Sequence, residues 1–446
     1  MRNVERSMGI GQGEAAATLG RSWWVPLSAA DEWIHRFLVI YVFLLPFPFF
    51  GPDGRNIALY LLFGVWFFTR ERGVRLGRDQ TQLALTFLLF LLMVSLAVAR
   101  SPFPLSSIRE LQRGPLNGLI LFLCLAHGQG EVKRLRRYFM GFVCASALVA
   151  GYGIFGWLTG RAQMDGMLTS VYGWKNALGY VLAVSVTIVV WRLLEARDVW
   201  SQTGWAALGL MQLAVLVLSY TRAALLAVAI SSCILAIAFR RIRILLVGTV
   251  VLGAFLILGG DRIVTRYLSI AQPSTYLEGT LSGRRELWQG AVAMIRQRPF
   301  MGYGYGSPVF RHVARAFADQ TGDLRPTSNS HAHNLFLEAA VEMGLLGLAA
   351  LCALGGSVAW VLVKRCRSRA SPVDEPSRAV AWLLLALYAA VMIISLTDYL
   401  VVGDGLGVYL WVLFACTGAL AAQTDSDHGR VGGSVKCGTA DAEGSA

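Results

Sequence analysis

Long runs of apolar residues alternate with short polar segments over most of the chain. A helix that spans the hydrocarbon core, about 30 Å thick, needs about 20 mainly apolar residues. The pattern therefore predicts an all-α, polytopic membrane protein with about twelve transmembrane helices. The predicted spans are 34–50, 56–69, 81–98, 114–127, 138–159, 176–191, 204–219, 223–239, 242–260, 333–363, 379–400 and 404–422.

The same pattern divides the chain into five regions. Residues 1–33 are a polar segment, 34–260 carry nine spans, 261–332 form one long loop, 333–422 carry three spans, and 423–446 are a flexible tail. The loop is expected to contain short amphipathic helices. The first apolar run continues past any small-residue cleavage site, so we interpret it as a retained anchor.

Composition narrows the class of protein. Of 446 residues, 55% are hydrophobic and 15% are charged, whereas soluble domains carry about 25% charged residues. This excludes a soluble enzyme, a secreted disulfide scaffold and a disordered chain. The seven cysteines include no C-x-x-C pair, so neither a disulfide framework nor a zinc site is expected.

The positive charges predict the orientation. The net charge is +13, and most cations lie in short loops. In that position they indicate a role in setting the membrane orientation rather than in binding nucleic acid. Alternate short loops carry 18 and 7 cations, so the first set and both termini are expected in the cytoplasm. The loop 261–332 then lies outside. It has nine arginines, no lysine and five acidic residues, which indicates an anionic ligand.

The strongest local pattern begins at the end of that loop. His333 and Asn334 precede an apolar helix that contains Gly344 and Gly347. At 100° per residue, both glycines fall within about 40° of His333. One interpretation is a close helix-packing face below an interfacial histidine. The other is a rigidly held, outward-facing proton acceptor, which suits an imidazole with a pKa near 6.5.

Three acidic or imidazole groups accompany this pattern. Glu338 and Glu342 are predicted on other faces of the helix, paired internally or assisting the histidine. His331 precedes the helix and is predicted to lie off the glycine stripe, as a control position for His333.

Arginines at two predicted helix starts are the candidate anion ligands. Arg222 follows Ser219-Tyr220-Thr221, where a cation opposes the helix dipole unless an anion is shared there. Arg284 and Arg285 begin an amphipathic external helix that runs to about residue 297. The alternatives are an arginine that extends to the membrane interface for Arg222 and a solvated helix face for the pair.

Other patterns carry less chemistry. The glycine-rich segment 302–306 follows no predicted strand, so it is not a dinucleotide fingerprint, and we interpret it as a flexible loop. The external loop 51–55 has one carboxylate, and no carboxylate cluster accompanies the histidines. We therefore predict no metal and no cofactor. The few intramembrane charges, such as Asp398, show no transporter pattern.

The motifs around His333, Arg222 and Arg284 resemble those of the bacterial O-antigen ligase family. His333-Asn334, nine residues and then Gly344-x-x-Gly347 is similar to the family motif. The Ser219-x-x-Arg222-Ala helix start, Gly283-Arg284-x-x-x-Trp288 and Pro299-Phe300-x-Gly302-x-Gly304 are similar to its ligase/polymerase domain. The resemblance covers about residues 170–350. Asn176, near a helix start, is a weaker match.

The resemblance implies an inverting, metal-independent glycosyltransferase of the membrane-embedded C-type fold. Such an enzyme would transfer O-antigen from undecaprenyl pyrophosphate to a sugar hydroxyl of lipid A–core, at the periplasmic face of the bacterial inner membrane. It implies His333 as the base and Arg222 and Arg284 as pyrophosphate ligands. Arg285 is a secondary ligand, and Asn176, Asn334, Gly344 and Gly347 have supporting roles.

Three alternatives stay open from the sequence. The same motifs occur in O-antigen polymerases, whose acceptor is another lipid-linked glycan, and in protein O-oligosaccharyltransferases. A flippase for lipid-linked oligosaccharides belongs to another class and would show polar residues deep inside several helices. The candidate residues concentrate at one face, which favours an enzyme.

Overall fold

A computed structural model describes most of the apolar part of the chain. The described residues are 27–69, 76–126, 131–161, 163–164, 167–172, 175–242, 281–322, 331–368, 375–398 and 407–422, with Gly248 and Gly253. The α-helices are α1 Leu27–Leu44, α2 Gly51–Thr69, α3 Arg78–Ala99, α4 Pro104–Leu111, α5 Asn117–Ala126, α6 Val132–Leu158, α7 Lys175–Glu195, α8 Val199–Leu218, α9 Arg222–Ala238, α10 Leu281–Gln297, α11 Ser307–Thr321, α12 Leu335–Arg367, α13 Glu375–Ser395 and α14 Gly407–Ala421.

The fold is that of an all-α, multi-pass membrane protein. The other regular elements described are one-turn 3-10 helices at Pro48–Phe50 and Ser170–Tyr172, a π-helical turn at Gln112–Leu116, and the two-residue strands β1 Gln163–Met164 and β2 Met167–Leu168, which pair antiparallel. Six of the described helices are long and apolar enough to cross a membrane: α3, α6, α7, α8, α12 and α13. Helices α9 and α14 are apolar but shorter.

The predicted spans can be compared with these helices. Each range except 242–260 overlaps a helix, whereas 242–260 lies almost entirely outside the described residues. Parts of the long loop, the first 26 residues and the tail from 423 onward also lie outside them. The number of twelve spans, the five-region division and the single external loop therefore stay predictions.

Close packing of small and aromatic side chains holds the bundle core together. A Cβ at Gly118 of α5 would lie 2.7 Å from the Trp411 ring of α14, and a Cβ at Gly418 of α14 would lie 2.4 Å from the Phe122 ring of α5. Phe414 also stacks on Phe122, with ring centroids 4.9 Å apart. Because Gly118 and Gly418 have no side chains, these two helices approach closely, as small residues allow at helix interfaces in membranes.

Helices α3 and α12 run antiparallel and are joined at both ends. At one end, Lys364 Nζ of α12 donates to Asp79 Oδ1 of α3 over 2.7 Å. At the other end, Gly304 packs directly against Ser101, just beyond α3. The backbone of Gly304 in turn bonds to α12 near Gly344, so the pairing places Gly344 at the level where α3 ends.

Helix α12 is interrupted at Gly344, whose φ of 71° and ψ of −174° are not helical. A turn formed by residues 299–304, called the inserted turn below, packs against this break and forms hydrogen bonds with the backbone of α12 on both sides of it. Tyr303 N–H and Gly304 N–H donate to the carbonyls of Val341 and Glu342 over 3.0 and 2.9 Å, and Leu345 N–H donates to the Pro299 carbonyl over 2.7 Å. Backbone groups freed by the break are thus paired, as the interior of a membrane protein requires.

This arrangement corrects two interpretations of the sequence. The glycine-rich segment is not a flexible loop, because its backbone pairs with α12 and a Cβ at Gly302 would lie 2.4 Å from the Glu342 carbonyl oxygen. Gly344 and Gly347 do not form a stripe for a neighbouring helix. A Cβ at Gly344 would meet the Phe300 backbone at 2.3 Å, and one at Gly347 would meet Met343 of the same helix at 2.1 Å. Counting 100° per residue fails because it assumes an uninterrupted helix.

Candidate active site

The loop 331–334 presents the candidate histidines just before α12. His333 has a φ of 48°, a left-handed conformation that is uncommon outside glycine. Asn334 is the N-cap of α12, because its Oδ1 accepts from the N–H groups of Phe336 and Leu337 over 3.0 and 3.1 Å. Its Nδ2 donates to the Leu396 carbonyl over 3.1 Å. Asn334 therefore fixes the loop to the helix start and to the end of α13.

His333 forms a hydrogen-bonded line with two residues from other helices. Its Nδ1 lies 3.1 Å from Oδ1 of Asp398, which follows α13. The Tyr180 hydroxyl of α7 donates to the other oxygen, Oδ2, over 2.7 Å. When Nδ1–H donates to the carboxylate, Nε2 carries the lone pair and can accept a proton. The line can thus orient a general base.

Sequence reasoning missed both partners of His333. Asp398 was noted only as an intramembrane charge, yet an isolated carboxylate at the end of an apolar run marks a functional position by default. Tyr180 gives no such signal, since a tyrosine in an apolar helix is common. Its role depends on a contact across 218 residues of sequence.

His331 is not the isolated control that the sequence predicted. Its Nδ1 lies 3.1 Å from Oε1 of Glu338, and the Ala332 N–H donates to Oε2 of the same carboxylate. Glu338 is fully buried, so its pairing partner is the loop 331–334. The pair therefore fixes the loop that carries His333.

The electrostatics of His331 follow from this pair. Burial disfavours the charged imidazole, but the hydrogen bond and charge of Glu338, with smaller contributions from Glu110 and Asp398, outweigh it and raise the pKa of His331 above 6.5. A histidine with a raised pKa stabilises the fold fully below 6.5, and the contribution is lost as the pH rises through the raised value.

We therefore expect the midpoint of thermal unfolding in detergent to fall as the pH rises above 6.5, through loss of the His331–Glu338 ion pair. Glu338→Gln should flatten this pH dependence, because it removes the hydrogen bond and the charge that raise the pKa of His331 most. His312→Gln removes a histidine outside this cluster and should keep the wild-type slope. An unchanged slope in Glu338→Gln would contradict the assignment.

Arg284 approaches the same line from helix α10. Its guanidinium is close enough to Tyr180 to act on it electrostatically, and its buried Nε has no hydrogen-bond partner among the described residues. One turn later, Trp288 Nε1 donates to the Ala332 carbonyl over 2.9 Å, which ties α10 to the histidine loop. An orphaned, buried guanidinium N–H in this position suits an anionic ligand.

The start of α9, which carries Arg222, packs against the start of α7, which carries Asn176. Thr221, the N-cap of α9, donates its hydroxyl to the Lys175 carbonyl over 3.1 Å. A Cβ at Gly179 would lie 2.5 Å from Thr221, so the two helices are in direct contact. Arg222 and Asn176 follow Thr221 and Lys175 in the chain, and Asn176 lies one turn before Tyr180 on α7.

The structure thus brings most of the predicted residues to one end of the bundle. His333 and Arg284 surround the Tyr180–Asp398 contact, and Arg222, the first residue of α9, lies near the start of α7. Arg285 is exposed. Within the described ranges, no group of three or more His, Cys, Asp or Glu side chains is arranged to hold a metal ion.

Part of the chain is similar to known proteins. Residues 206–352 match the family model described as O-antigen ligase, and this segment contains Arg222, Arg284 and His333. The chain is 30% identical over 125 residues to the exopolysaccharide production protein ExoQ of Rhizobium meliloti. The aligned segment covers 27% of this chain and 28% of that protein. The match to ExoQ thus spans less than a third of either chain. Residues 206–352, about a third of the chain, are thus similar to the O-antigen ligase family.

Proposed function

We propose that the protein is an inverting, metal-independent glycosyltransferase that completes lipopolysaccharide at the periplasmic face of the inner membrane. It would transfer O-antigen from undecaprenyl pyrophosphate to a sugar hydroxyl of lipid A–core. The observation that carries the proposal is the line His333–Asp398–Tyr180 with the orphaned Arg284 Nε beside it. It combines a proton acceptor with a cation for a leaving group.

The groups suggest a single displacement. The acceptor hydroxyl oxygen attacks the anomeric carbon of the donor sugar while its proton passes to Nε2 of His333. The bond from that carbon to the pyrophosphate oxygen breaks, and undecaprenyl pyrophosphate leaves with the electron pair. Asp398 stabilises the imidazolium, and Arg222 and Arg284 stabilise the charge on the pyrophosphate. One displacement inverts the anomeric configuration.

The similarity to ExoQ, an exopolysaccharide production protein, favours a second candidate. In this alternative the acceptor is another lipid-linked glycan, as in a polymerase, and the site chemistry is unchanged. The two candidates differ only in the molecule that supplies the hydroxyl.

One experiment separates these candidates. Purified protein receives a labelled undecaprenyl-pyrophosphate-linked glycan with either lipid A–core or a second lipid-linked glycan. We expect labelled lipid A–core as the product. Elongated lipid-linked glycan would instead support the polymerase, and no transfer to either acceptor would overturn both.

Arginine geometry gives a further prediction. Arg284→Lys should reduce transfer nearly as much as Arg284→Ala, because lysine cannot make the planar, two-point contact with phosphate oxygens. The same comparison applies to Arg222. The exposed Arg285→Lys serves as the matched control and should keep most of the activity. Full activity in Arg284→Lys and Arg222→Lys would show that diffuse charge is sufficient.

A further inference from the structure

A polar cavity lies away from His333, between the end of α3, the end of α10 and helix α11. Its volume is about 320 Å³. The polar side chains that line it are Arg100, Gln297, Arg298, Tyr303, His312 and Gln320.

The lining is cationic and rich in hydrogen-bond donors. Among the described residues that line the cavity there is no carboxylate. Arg100 Nη1 donates to the Met301 carbonyl over 3.3 Å, and the Arg298 guanidinium carbon lies 4.8 Å from the centre of the Tyr303 ring. Both cations are therefore held in place by neighbours that carry no charge, a carbonyl and an aromatic ring. Two such guanidinium groups suit a phosphate or pyrophosphate group.

The cavity lies where the apolar part of the protein ends. Arg100 directly follows α3, one of the helices long and apolar enough to span a membrane. Beside it, Phe300 and Met301 of the inserted turn are 67% and 38% exposed. Exposed apolar side chains next to arginines are typical of segments at the level of lipid head groups. A phosphate bound here would belong to a lipid.

The cavity is too far from Arg284 to hold the same phosphate. Arg284 and Gln297 lie 13 positions apart on α10, which corresponds to about 20 Å along the helix. His333 is at the Arg284 end, because Trp288 bonds to the loop that carries it. The two groups of arginines thus lie at opposite ends of α10.

We propose that this cavity binds the phosphate group of a second lipid-linked substrate, the one that supplies the acceptor glycan. The proposal rests on the proposed function, in which transfer joins two lipid-borne glycans. The donor pyrophosphate would occupy the site of Arg222 and Arg284, and the acceptor lipid would be held at Arg100 and Arg298. Its glycan would then reach along α10 to His333.

The test counts the lipids bound per chain in detergent when labelled polyprenyl pyrophosphate and labelled lipid A–core are supplied together. We expect two molecules per wild-type chain, and one in both the Arg100→Gln/Arg298→Gln and the Arg222→Gln/Arg284→Gln double variants. The double variant Arg311→Gln/Arg315→Gln changes exposed arginines of α11 outside the cavity lining, and should still bind two. Thermal unfolding of each variant checks the fold. If the cavity variant does not fold, Arg298→Lys is used, with binding at the second site weakened about tenfold.

The outcomes separate the two proposals. If the Arg100/Arg298 variant still binds two molecules, or wild type binds only one, the cavity proposal is overturned while the donor site stands. If only the Arg222/Arg284 variant keeps two, the donor assignment fails and the cavity stands. Inorganic pyrophosphate should compete at least about tenfold more weakly than the lipid, and equal competition would contradict a lipid ligand. Displacement by glucuronate alone would point to an acidic sugar and overturn the phosphate assignment.

Discussion

His333→Gln is expected to lower the rate of glycan transfer by about 10²–10⁴-fold, since a positioned general base contributes about that much. The donor should still bind, because the proposed pyrophosphate ligands are on α9 and α10. The measurement is turnover in detergent with donor binding followed in parallel. Asp398→Asn should cause a smaller loss, as it weakens the orientation of the imidazole but leaves the base in place.

The backbone at this position sharpens the experiment. His333 is left-handed, with a φ of 48°, and asparagine tolerates that conformation better than most residues. His333→Asn should therefore fold at least as well as wild type and still fail in transfer. His331→Gln should lower thermal stability and keep measurable turnover, because its partner Glu338 holds the loop. Normal turnover in His333→Asn would refute the general-base assignment.

Gly344→Ala should prevent folding or strongly destabilise the protein. The combination of φ 71° and ψ −174° lies in a region that is essentially restricted to glycine and costs about 1–3 kcal/mol for other residues. In addition, the new Cβ would lie 2.3 Å from the Phe300 backbone, so the inserted turn would have to move. The measurement is the yield of folded protein and its unfolding midpoint in detergent.

A glycine of the same helix provides the matched control. A Cβ at Gly356 meets nothing within 4 Å, and its backbone is helical, so Gly356→Ala should be neutral or stabilising by up to about 1 kcal/mol. If the two substitutions behaved alike, the interruption of α12 would have no energetic importance. Any Gly344→Ala protein that folds should also lose transfer activity. The break at Gly344 determines the position of the first part of α12, which follows His333 directly.

These predictions show how far the sequence alone could lead. Apolar runs predicted the helices because a membrane imposes one length and one backbone solution on each span. His333 and Arg284 were found because they lie in local motifs at a helix start. Their convergence was only implied by resemblance, since they belong to separate segments of the chain.

Other features of the site depend on contacts that no local pattern contains. Asp398, just after α13, contacts both His333 and Tyr180 of α7, so the line depends on how three helices are arranged. The break at Gly344 was missed because the periodicity of α12 continues on both sides of it. The glycines of the motif Gly302-x-Gly304 allow a close backbone approach, but the sequence does not show which segment they approach. The structure shows that Gly302 packs against the Glu342 carbonyl of α12.

The inserted turn also has a consequence for the order of biosynthesis. Residues 299–304 leave the ribosome before α12, so they are already synthesised when Val341 and Glu342 are inserted into the membrane. If the turn were deleted, or displaced by an epitope inserted at Met301, the translocation machinery would receive a helix with unpaired carbonyls at its interruption. We therefore expect such an insertion to cause retention and degradation of the nascent chain, whereas one after Gly322, where a Cβ meets nothing within 4 Å, should be tolerated. The inserted turn and α12 are, in this sense, one unit of assembly.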